Sequence, residues 1–128
     1  GLDEIVTGLR IPKPTNPTSS TFIKLGARKY LVISIVMVAA TIEQGPDNTI
    51  AAARIAVGSC STVAKRLRFL ERALVGQPMS ADLGALVTPD YLSILRPIND
   101  VRGTADYRFD AAVTLVARAL SQLGAPHG

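Results

Sequence analysis

The feature that most constrains the fold is an amphipathic helix near the end of the chain. Apolar residues recur there at steps of four and three, at Phe109, Val113, Val116, Leu120 and Leu123. On a period of 3.6 residues these side chains form one stripe, which must be buried against a second layer of structure. Thr104 is placed to cap this helix, and Gly103 before it allows a sharp turn of the backbone.

The second layer is predicted to be an antiparallel β-sheet over residues 21–58. Residues 35–43 are rich in β-branched types and almost continuously apolar, which is typical of a central strand with little exposed surface. A dense turn signal follows at residues 45–48, and residues 50–57 read as the returning antiparallel strand. Residues 21–25 predict a further strand of the same sheet.

Residues 1–20 are predicted to hold a first strand and a linker. Residues 4–11 contain many β-branched and aliphatic side chains, which favours a strand. Residues 12–20 combine three prolines with small polar residues, so we expect an extended connection with little secondary structure.

Residues 59–124 are predicted to be mainly helical. A helix is expected over residues 63–75, and Gly76 would end it. Ser80 can cap a short helix through Val87, and the pair at residues 88–89 is typical of the start of another, through Leu95. Strands followed by helices indicate an α+β architecture, an antiparallel β-sheet with helices packed on one face. With 128 residues, the chain is expected to form a single domain.

Composition restricts the functional classes. The chain has one cysteine, Cys60, and one histidine, His127. A single cysteine excludes an internal disulfide and a thiolate metal site, and it favours a reducing, cytoplasmic compartment. His127 lies in a Gly- and Pro-containing tail, where disorder is expected, which argues against a general base and a self-contained hydrolase or transferase.

Membrane and secretion signals are not evident. The longest apolar run, residues 30–42, is far shorter than the roughly 20 residues that cross a bilayer. The first residues lack a basic region followed by an apolar one, so no secretory signal is expected. The chain begins with Gly1 rather than methionine, which suggests a processed or excised segment.

The net charge of +4 raises the alternative of a freestanding protein- or nucleic-acid-binding module. Four cations are concentrated at Lys65, Arg66, Arg68 and Arg72. The apolar residues of the same predicted helix, including Leu67 and Leu70, favour the plainer interpretation that these cations form its solvated side. The chain has no tryptophan, which weakens base stacking as a mechanism and makes nucleic acid an unlikely partner.

A recognisable order of residues precedes the terminal helix: Ile98-x-Asp100-x-Arg102-x-x-Ala105-x-Tyr107-Arg108. It resembles the C-terminal domain of the FAD-binding, medium subunit of the molybdenum hydroxylases, the xanthine dehydrogenase and carbon monoxide dehydrogenase family. The resemblance continues through residues 4–12, 22–29, 33–39 and 53–58, in the order of that family.

This resemblance implies an oxidoreductase assembled from several parts. A large subunit would carry molybdopterin, a small subunit the iron–sulfur clusters, and the medium subunit the FAD that passes electrons to an acceptor. Most of the FAD site would belong to an N-terminal domain of the same subunit, which precedes the region present here. This chain would complete the flavin pocket, and alone it would be inactive.

The resemblance also assigns cofactor-binding residues. Val6 would contact the isoalloxazine, and Lys24 would lie close to the flavin. Arg28, Lys29 and Tyr30 would belong to a loop that affects access to the flavin, but the acidic residues of the family loop are absent, so the acceptor stays unassigned. Without the resemblance, Val6 would be an ordinary strand residue and Lys24 an exposed one.

Other features of the sequence are expected to be structural. Asp100 could pair with Arg102 or Arg108, and Tyr107 could bury its ring while its hydroxyl finds a partner. Cys60 is expected to pack at the end of a strand.

Overall fold

The structure is a computed structural model that describes residues 3–125. The strands are β1 (Thr18–Leu25), β2 (Val36–Gln44), β3 (Ile50–Gly58) and β4 (Lys65–Arg66), and the α-helices are α1 (Arg68–Leu74) and α2 (Ala105–Gly124). Short 3-10 helices span Pro46–Asn48, Ala81–Leu86 and Pro89–Leu92. The predicted α+β class is confirmed.

The four strands form one antiparallel sheet in the order β1-β2-β3-β4. Strand β2 lies in its interior, as its continuous apolarity predicts. The sheet begins at Thr18, three residues earlier than predicted, because Thr18 pairs with Glu43 at the far end of β2. An irregularity in register occurs between Glu43 and Gln44, next to the turn into β3.

The hydrophobic core lies between one face of the sheet and the helices. Val36, Val38, Ala40 and Ile42 of β2 alternate toward this inner face and are buried. Helix α2 packs against β1 and β2, whereas α1 packs against β3. The buried stripe of α2 consists of Arg108, Ala112, Leu115, Val116, Ala119, Leu120, Leu123 and Gly124.

This stripe is rotated from the predicted one. Val116, Leu120 and Leu123 are buried as expected, but Phe109 and Val113 are only half-buried. Smaller side chains of α2, such as Ala112 and Ala119, lie at the centre of the contact instead, because the helix packs close to the elements beside it. A Cβ on Gly84, for example, would lie 2.5 Å from the Ala117 carbonyl oxygen.

The strand predicted over residues 4–11 is wrong for this structure. The segment has no regular secondary structure and is exposed throughout, with Ile5 88% and Leu9 86% accessible. A strand needs a neighbour to satisfy its backbone groups, and within residues 3–125 none pairs with this segment.

The helix predicted over residues 63–75 is shorter than expected. Lys65 and Arg66 instead form β4, opposite Val57 and Ala56, and α1 begins only at Arg68. Backbone pairing overrides helix periodicity here, because β4 covers the otherwise open edge of β3. The helix ends at Leu74, and Gly76 follows with φ +82°, as its predicted terminating role requires.

The remaining helix starts are mostly as predicted. Ser80 accepts a hydrogen bond from the Asp82 N–H, and Thr104 Oγ1 accepts one from the Tyr107 N–H, at 3.2 Å each. Thr88 precedes a helix but makes no side-chain cap. Both segments after α1 are 3-10 helices, and the second ends at Leu92 rather than at Leu95.

Candidate functional site

The outer face of the sheet, opposite the helices, is the main open surface among the described residues. Antiparallel register aligns its side chains in rows, one of which runs Phe22, Ala39, Ala56 and Arg66. Ala39 is exposed, and Phe22 is 62% accessible although it is a large apolar residue. A cavity of about 490 Å³ covers this row and extends to Thr41. We call this surface the outer sheet face.

Small side chains keep the outer sheet face flat. Ala39 and Ala56 project no further than a methyl group, and Gly58 at the end of β3 has no side chain. A Cβ on Gly58 would lie 2.8 Å from the Met37 Cε, so Met37 lies over that glycine. The result is an open patch beside Phe22 whose centre carries only small side chains.

Lys24 lies at one end of the outer sheet face. It occupies the row that continues through Met37 to Gly58, and its side chain is exposed. Its Nζ donates a hydrogen bond to the Val32 carbonyl oxygen at 2.9 Å. Because this acceptor is neutral, the ammonium charge is not compensated by the contact.

The residues that follow β1 form a cationic loop. Arg28 Nη2 donates to the Leu31 carbonyl oxygen at 2.6 Å, and Lys29 Nζ lies 5.2 Å from the centre of the Tyr30 ring. Leu31 adopts a left-handed φ of +51° and is 91% accessible. A cavity of about 320 Å³ is bounded by this loop and Lys24. The structure therefore places Lys24 beside Arg28 and Lys29, whereas Tyr30 contacts Lys29 and does not line this cavity.

Val6 is not brought to Lys24. It lies in the exposed segment before β1, with 81% of its surface accessible, and it does not line the cavity at Lys24. The end of that segment, residues 11–15, borders a cavity of about 440 Å³ beside Glu43 and Arg54. These residues lie at the opposite end of the outer sheet face from Lys24.

The other cations of the outer sheet face are neutralised. Arg54 pairs with Glu43, and Arg66 donates two hydrogen bonds to Glu71, the Nη2 bond measuring 2.7 Å. Burial raises the pKa of the Glu71 carboxyl, but the hydrogen bonds from Arg66 and from the Ile55 N–H outweigh it and leave that pKa below its ordinary value. Arg54 and Arg66 thus have acidic partners, whereas Lys24 forms no ion pair within residues 3–125.

The four cations of the alternative hypothesis do not lie on one helix. Lys65 and Arg66 lie on β4, while Arg68 and Arg72 lie on α1. Arg66 is held by Glu71, and the Arg72 guanidinium lies 4.7 Å from the Phe69 ring centre. The four cations are divided between two elements and partly engaged.

The recognisable residues before and within α2 have a structural role. Asp100 pairs with both candidate arginines, with Arg102 at 2.9 Å and with Arg108 at 2.6 Å. Hydrogen bonds from the Arg102 N–H and from the Arg108 side chain lower the pKa of Asp100 to about 2. Tyr107, by contrast, remains 49% accessible, so the expected burial of its ring is wrong.

Cys60 packs at the end of β3, as predicted. The side chain is fully buried, and burial raises the pKa of its thiol, although the charge of Arg108 lowers it. The described chain contains no group of three metal-ligating side chains. Among residues 3–125, no helix combines the length and apolarity needed to cross a bilayer. His127 lies outside the described residues.

The sequence did not predict that Ala39 and Ala56 lie side by side on the outer sheet face. Phe22 and Lys24 alternate on one face of β1, and this period of two could have placed both on the same exposed surface. Ala39 and Ala56 gave no comparable signal, because alanine is compatible with either face of a strand or with a helix. Their alignment depends on the register between strands.

Fold and surface together define an α+β domain whose sheet carries helices on one face and leaves the other open. The chain belongs to the CO dehydrogenase flavoprotein C-terminal domain family, whose model matches residues 21–123. The resemblance to medium subunits of molybdenum hydroxylases is thereby confirmed. A comparison with curated protein sequences finds no match.

Solved structures give the same result. A carbon monoxide dehydrogenase from Hydrogenophaga pseudoflava is 28% identical with a TM-score of 0.75, and the match covers 88% of this chain and 39% of that one. Quinoline 2-oxidoreductase from Pseudomonas putida 86 is 25% identical with a TM-score of 0.76, over 89% of this chain and 39% of its own. CO dehydrogenase from Oligotropha carboxidovorans, at 23% identity and a TM-score of 0.74, supports the fold alone. This chain therefore spans about two fifths of the length of the relatives it matches.

Proposed function

We propose that this chain is the C-terminal domain of the FAD-binding subunit of a molybdopterin-dependent oxidoreductase, where it completes the flavin pocket. Electrons would pass from iron–sulfur clusters to the flavin and from there to an acceptor. The observation that carries the proposal is the open outer sheet face with an uncompensated cation, Lys24, at its end. Family membership supplies the cofactor class.

The residues present fit a flavin. Alanines at positions 39 and 56 leave room for a planar ring, and the exposed Phe22 can contact its edge or face. An isoalloxazine is flat and largely apolar, with polar atoms on one side, which matches a flat apolar surface that ends in a cation. FAD, when bound, supplies the redox chemistry, and the protein supplies binding, exclusion of water and charge.

Lys24 would tune the flavin electrostatically. A fixed positive charge near the ring stabilises the negative charge that accumulates on reduction, and so raises the reduction potential. The carbonyl of Val32 holds the ammonium in place without neutralising it. Val6 is exposed in this structure. In the complete subunit it would pack against the flavin and the preceding domain, where it would keep water from the ring.

The loop with Arg28, Lys29 and Tyr30 would border the route by which the acceptor reaches the flavin. Three cations, Lys24 included, lie within six residues, and this favours a negatively charged acceptor. The partners of the domain would be the FAD-binding N-terminal domain of the same subunit, the iron–sulfur small subunit and the molybdopterin large subunit. The isolated domain would neither retain FAD nor catalyse a reaction.

The first test is the intact mass and visible spectrum of the protein expressed from its complete gene. A polypeptide much larger than 128 residues with a flavin spectrum is expected. A colourless product of essentially this length would contradict the proposal. Stoichiometric flavin in the purified 128-residue chain would contradict the claim that it supplies only half of the site.

The role of Lys24 is tested by Lys24→Ala in the complete flavin-loaded subunit. We expect the flavin midpoint potential to become more negative by about 30 mV, which equals about 1.4 kcal/mol for a two-electron couple. Lys65→Ala is the matched control, because Lys65 is a lysine on the opposite edge strand of the same sheet. An unchanged potential in Lys24→Ala, or an equal change in the control, would remove the proposed role.

A further inference from the structure

A second cavity lies at the end of the sheet, between the residues before β2, those after β3 and the loop that leads to α2. Its volume is about 260 Å³, and it shares no lining residue with the outer sheet face or with the cavity at Lys24. Arg96 and Arg108 contribute to its walls, with the hydroxyl residues Ser59 and Thr62. Ile33 and Ile98 add apolar surface. We call it the Arg96–Arg108 cavity.

Arg108 is buried in this wall, and one of its three side-chain nitrogen atoms has no acceptor. The residue is 3% accessible. Its Nη1 donates to the carbonyl oxygens of Ile35 and Ser59, at 2.8 and 3.2 Å, and its Nη2 donates to Asp100. Its Nε finds no acceptor within residues 3–125. A buried donor without a partner is costly, so a small movement of the wall that let a ligand oxygen reach Nε would be favoured.

Arg96 adds a second cation. Its Nη1 donates to the carbonyl oxygens of Ser93 and Leu95, at 2.5 and 2.7 Å, and both acceptors are neutral. No acidic side chain within residues 3–125 forms an ion pair with Arg96. Its charge therefore remains available to a ligand.

Asp100, the acidic residue of the wall, does not neutralise the charges of both Arg96 and Arg108. Asp100 accepts from the Arg102 N–H at 2.8 Å, from the Arg102 guanidinium and from Arg108, so its oxygens are occupied. Two guanidinium groups and one carboxylate leave the wall with a formal charge of +1. The hydroxyls of Ser59 and Thr62 donate to nothing in the described part of the chain, and both can turn toward a ligand.

We propose that the Arg96–Arg108 cavity binds a small organic anion through its carboxylate or phosphate group. The anionic group would accept hydrogen bonds from Arg96, from the hydroxyls and, after a small adjustment, from the Arg108 Nε. Ile33 and Ile98 would contact the apolar part of the same ligand, for which the volume leaves room beyond a single anionic group. This inference is independent of the flavin proposal, since the two surfaces have no residue in common.

The test measures the unfolding temperature of the full-length subunit against ligand concentration, at constant ionic strength adjusted with sodium chloride. Inorganic phosphate is one probe and butyrate is the other, so that the two arms distinguish the two anionic groups. A ligand that binds only the folded state raises the unfolding temperature in a saturable way. We expect such a rise with at least one probe, relative to chloride.

Two variants and a control locate the effect. Arg96→Gln should weaken the apparent affinity by at least about fivefold, as expected for loss of a charged hydrogen-bond donor. Thr62→Val removes one hydroxyl with little change of shape, and should weaken binding by about threefold. Arg118→Gln is the control, because Arg118 is an exposed arginine on α2 that does not line the cavity.

Absence of a rise beyond chloride with both probes would overturn the inference. So would an equal rise in wild type, Arg96→Gln and Thr62→Val, because the anion would then bind elsewhere. If Arg96→Gln fails to fold, Thr62→Val alone decides between these outcomes, since its residue is exposed and makes no hydrogen bond in the described chain.

Discussion

Glu71→Ala should lower the free energy of unfolding by about 2–4 kcal/mol, because Glu71 satisfies a backbone group that the short strand β4 leaves open. Ile55 lies opposite the end of β4, where Leu67 donates its N–H to the Ile55 carbonyl oxygen at 2.9 Å. The Leu67 carbonyl cannot complete the pair, because it accepts from the Glu71 N–H in the first turn of α1. The Ile55 N–H donates instead to Glu71 Oε1, at 2.9 Å.

The magnitude follows from these contacts. Ile55 is fully buried, so leaving its N–H without an acceptor costs about 1–3 kcal/mol. The two hydrogen bonds from Arg66 add less, since its side chain is 36% accessible and water can replace the carboxylate. We assign them together about 1 kcal/mol, in line with partly exposed ion pairs. Most of the loss should therefore come from the backbone group.

Equilibrium urea unfolding of the protein measures this loss, and Glu71→Gln separates its two parts. The amide oxygen of glutamine can still accept from the Ile55 N–H, so this variant should lose about 1 kcal/mol. Asp110→Ala is the control, since Asp110 is an exposed acid on α2 without an ion pair in the described chain, and should change stability by less than about 0.5 kcal/mol.

The pH dependence gives an independent check. The pKa of Glu71 is lower in the folded protein than its ordinary value of 4.5, so its ionisation stabilises the fold above that pH. The contribution is lost as the pH falls through the lowered pKa of the folded state, and the difference between wild type and Glu71→Gln should shrink there. Equal losses in Glu71→Ala and Glu71→Gln, or a loss in Glu71→Ala below about 1 kcal/mol, would refute the proposed backbone role.

Three further predictions concern single side chains. Gly84→Ala should destabilise the protein by about 1–3 kcal/mol in urea unfolding, because the added methyl group would meet the backbone of Ala117, and Ala85→Gly, at an exposed neighbour, should not reproduce a steric loss. The Cys60 thiol should resist iodoacetamide in the folded protein and react after unfolding, as followed by mass spectrometry; rapid native modification would contradict its burial. Thr104→Ala should cost about 1 kcal/mol through loss of the cap to the Tyr107 N–H, whereas Thr104→Ser should keep most of the stability, and equal losses in the two variants would argue against a capping role.

The parts of the fold that depend on local periodicity were predictable. The continuous apolarity of β2, the turn at residues 45–48 and the helical period of α2 each have a strong sequence signal, and all three elements are present, although the buried stripe of α2 is rotated from the predicted one. The helix over residues 63–75 was mispredicted because its apolar spacing also suits a short strand followed by a turn of helix. Pairing with the edge of β3 decides between them, and apolar spacing within residues 63–75 carries no signal of that pairing.

The candidate site was predictable in part. The position of Lys24 on an exposed face follows from the alternation of β1, and Asp100 was predicted to pair with Arg102 or Arg108. The sequence did not show that Asp100 binds both arginines, or that Glu71 serves a strand sixteen residues away. Such contacts depend on where elements end, which is the least predictable property of a sequence.

The order of the strands also determines where the sheet can grow. Strand β4 is only two residues long and leads directly into α1, whereas β1 spans eight residues and pairs with β2 alone within residues 3–125. Half of the backbone N–H and C=O groups of β1 therefore point away from β2. Lys24 is the one charged residue of this strand that would oppose pairing with another strand. Among the strands of residues 3–125, β1 has the longest unpaired edge, so a fifth strand, such as β1 of a second copy of the protein, would pair there. Concentrated preparations should therefore associate through this edge unless another part of the protein covers it.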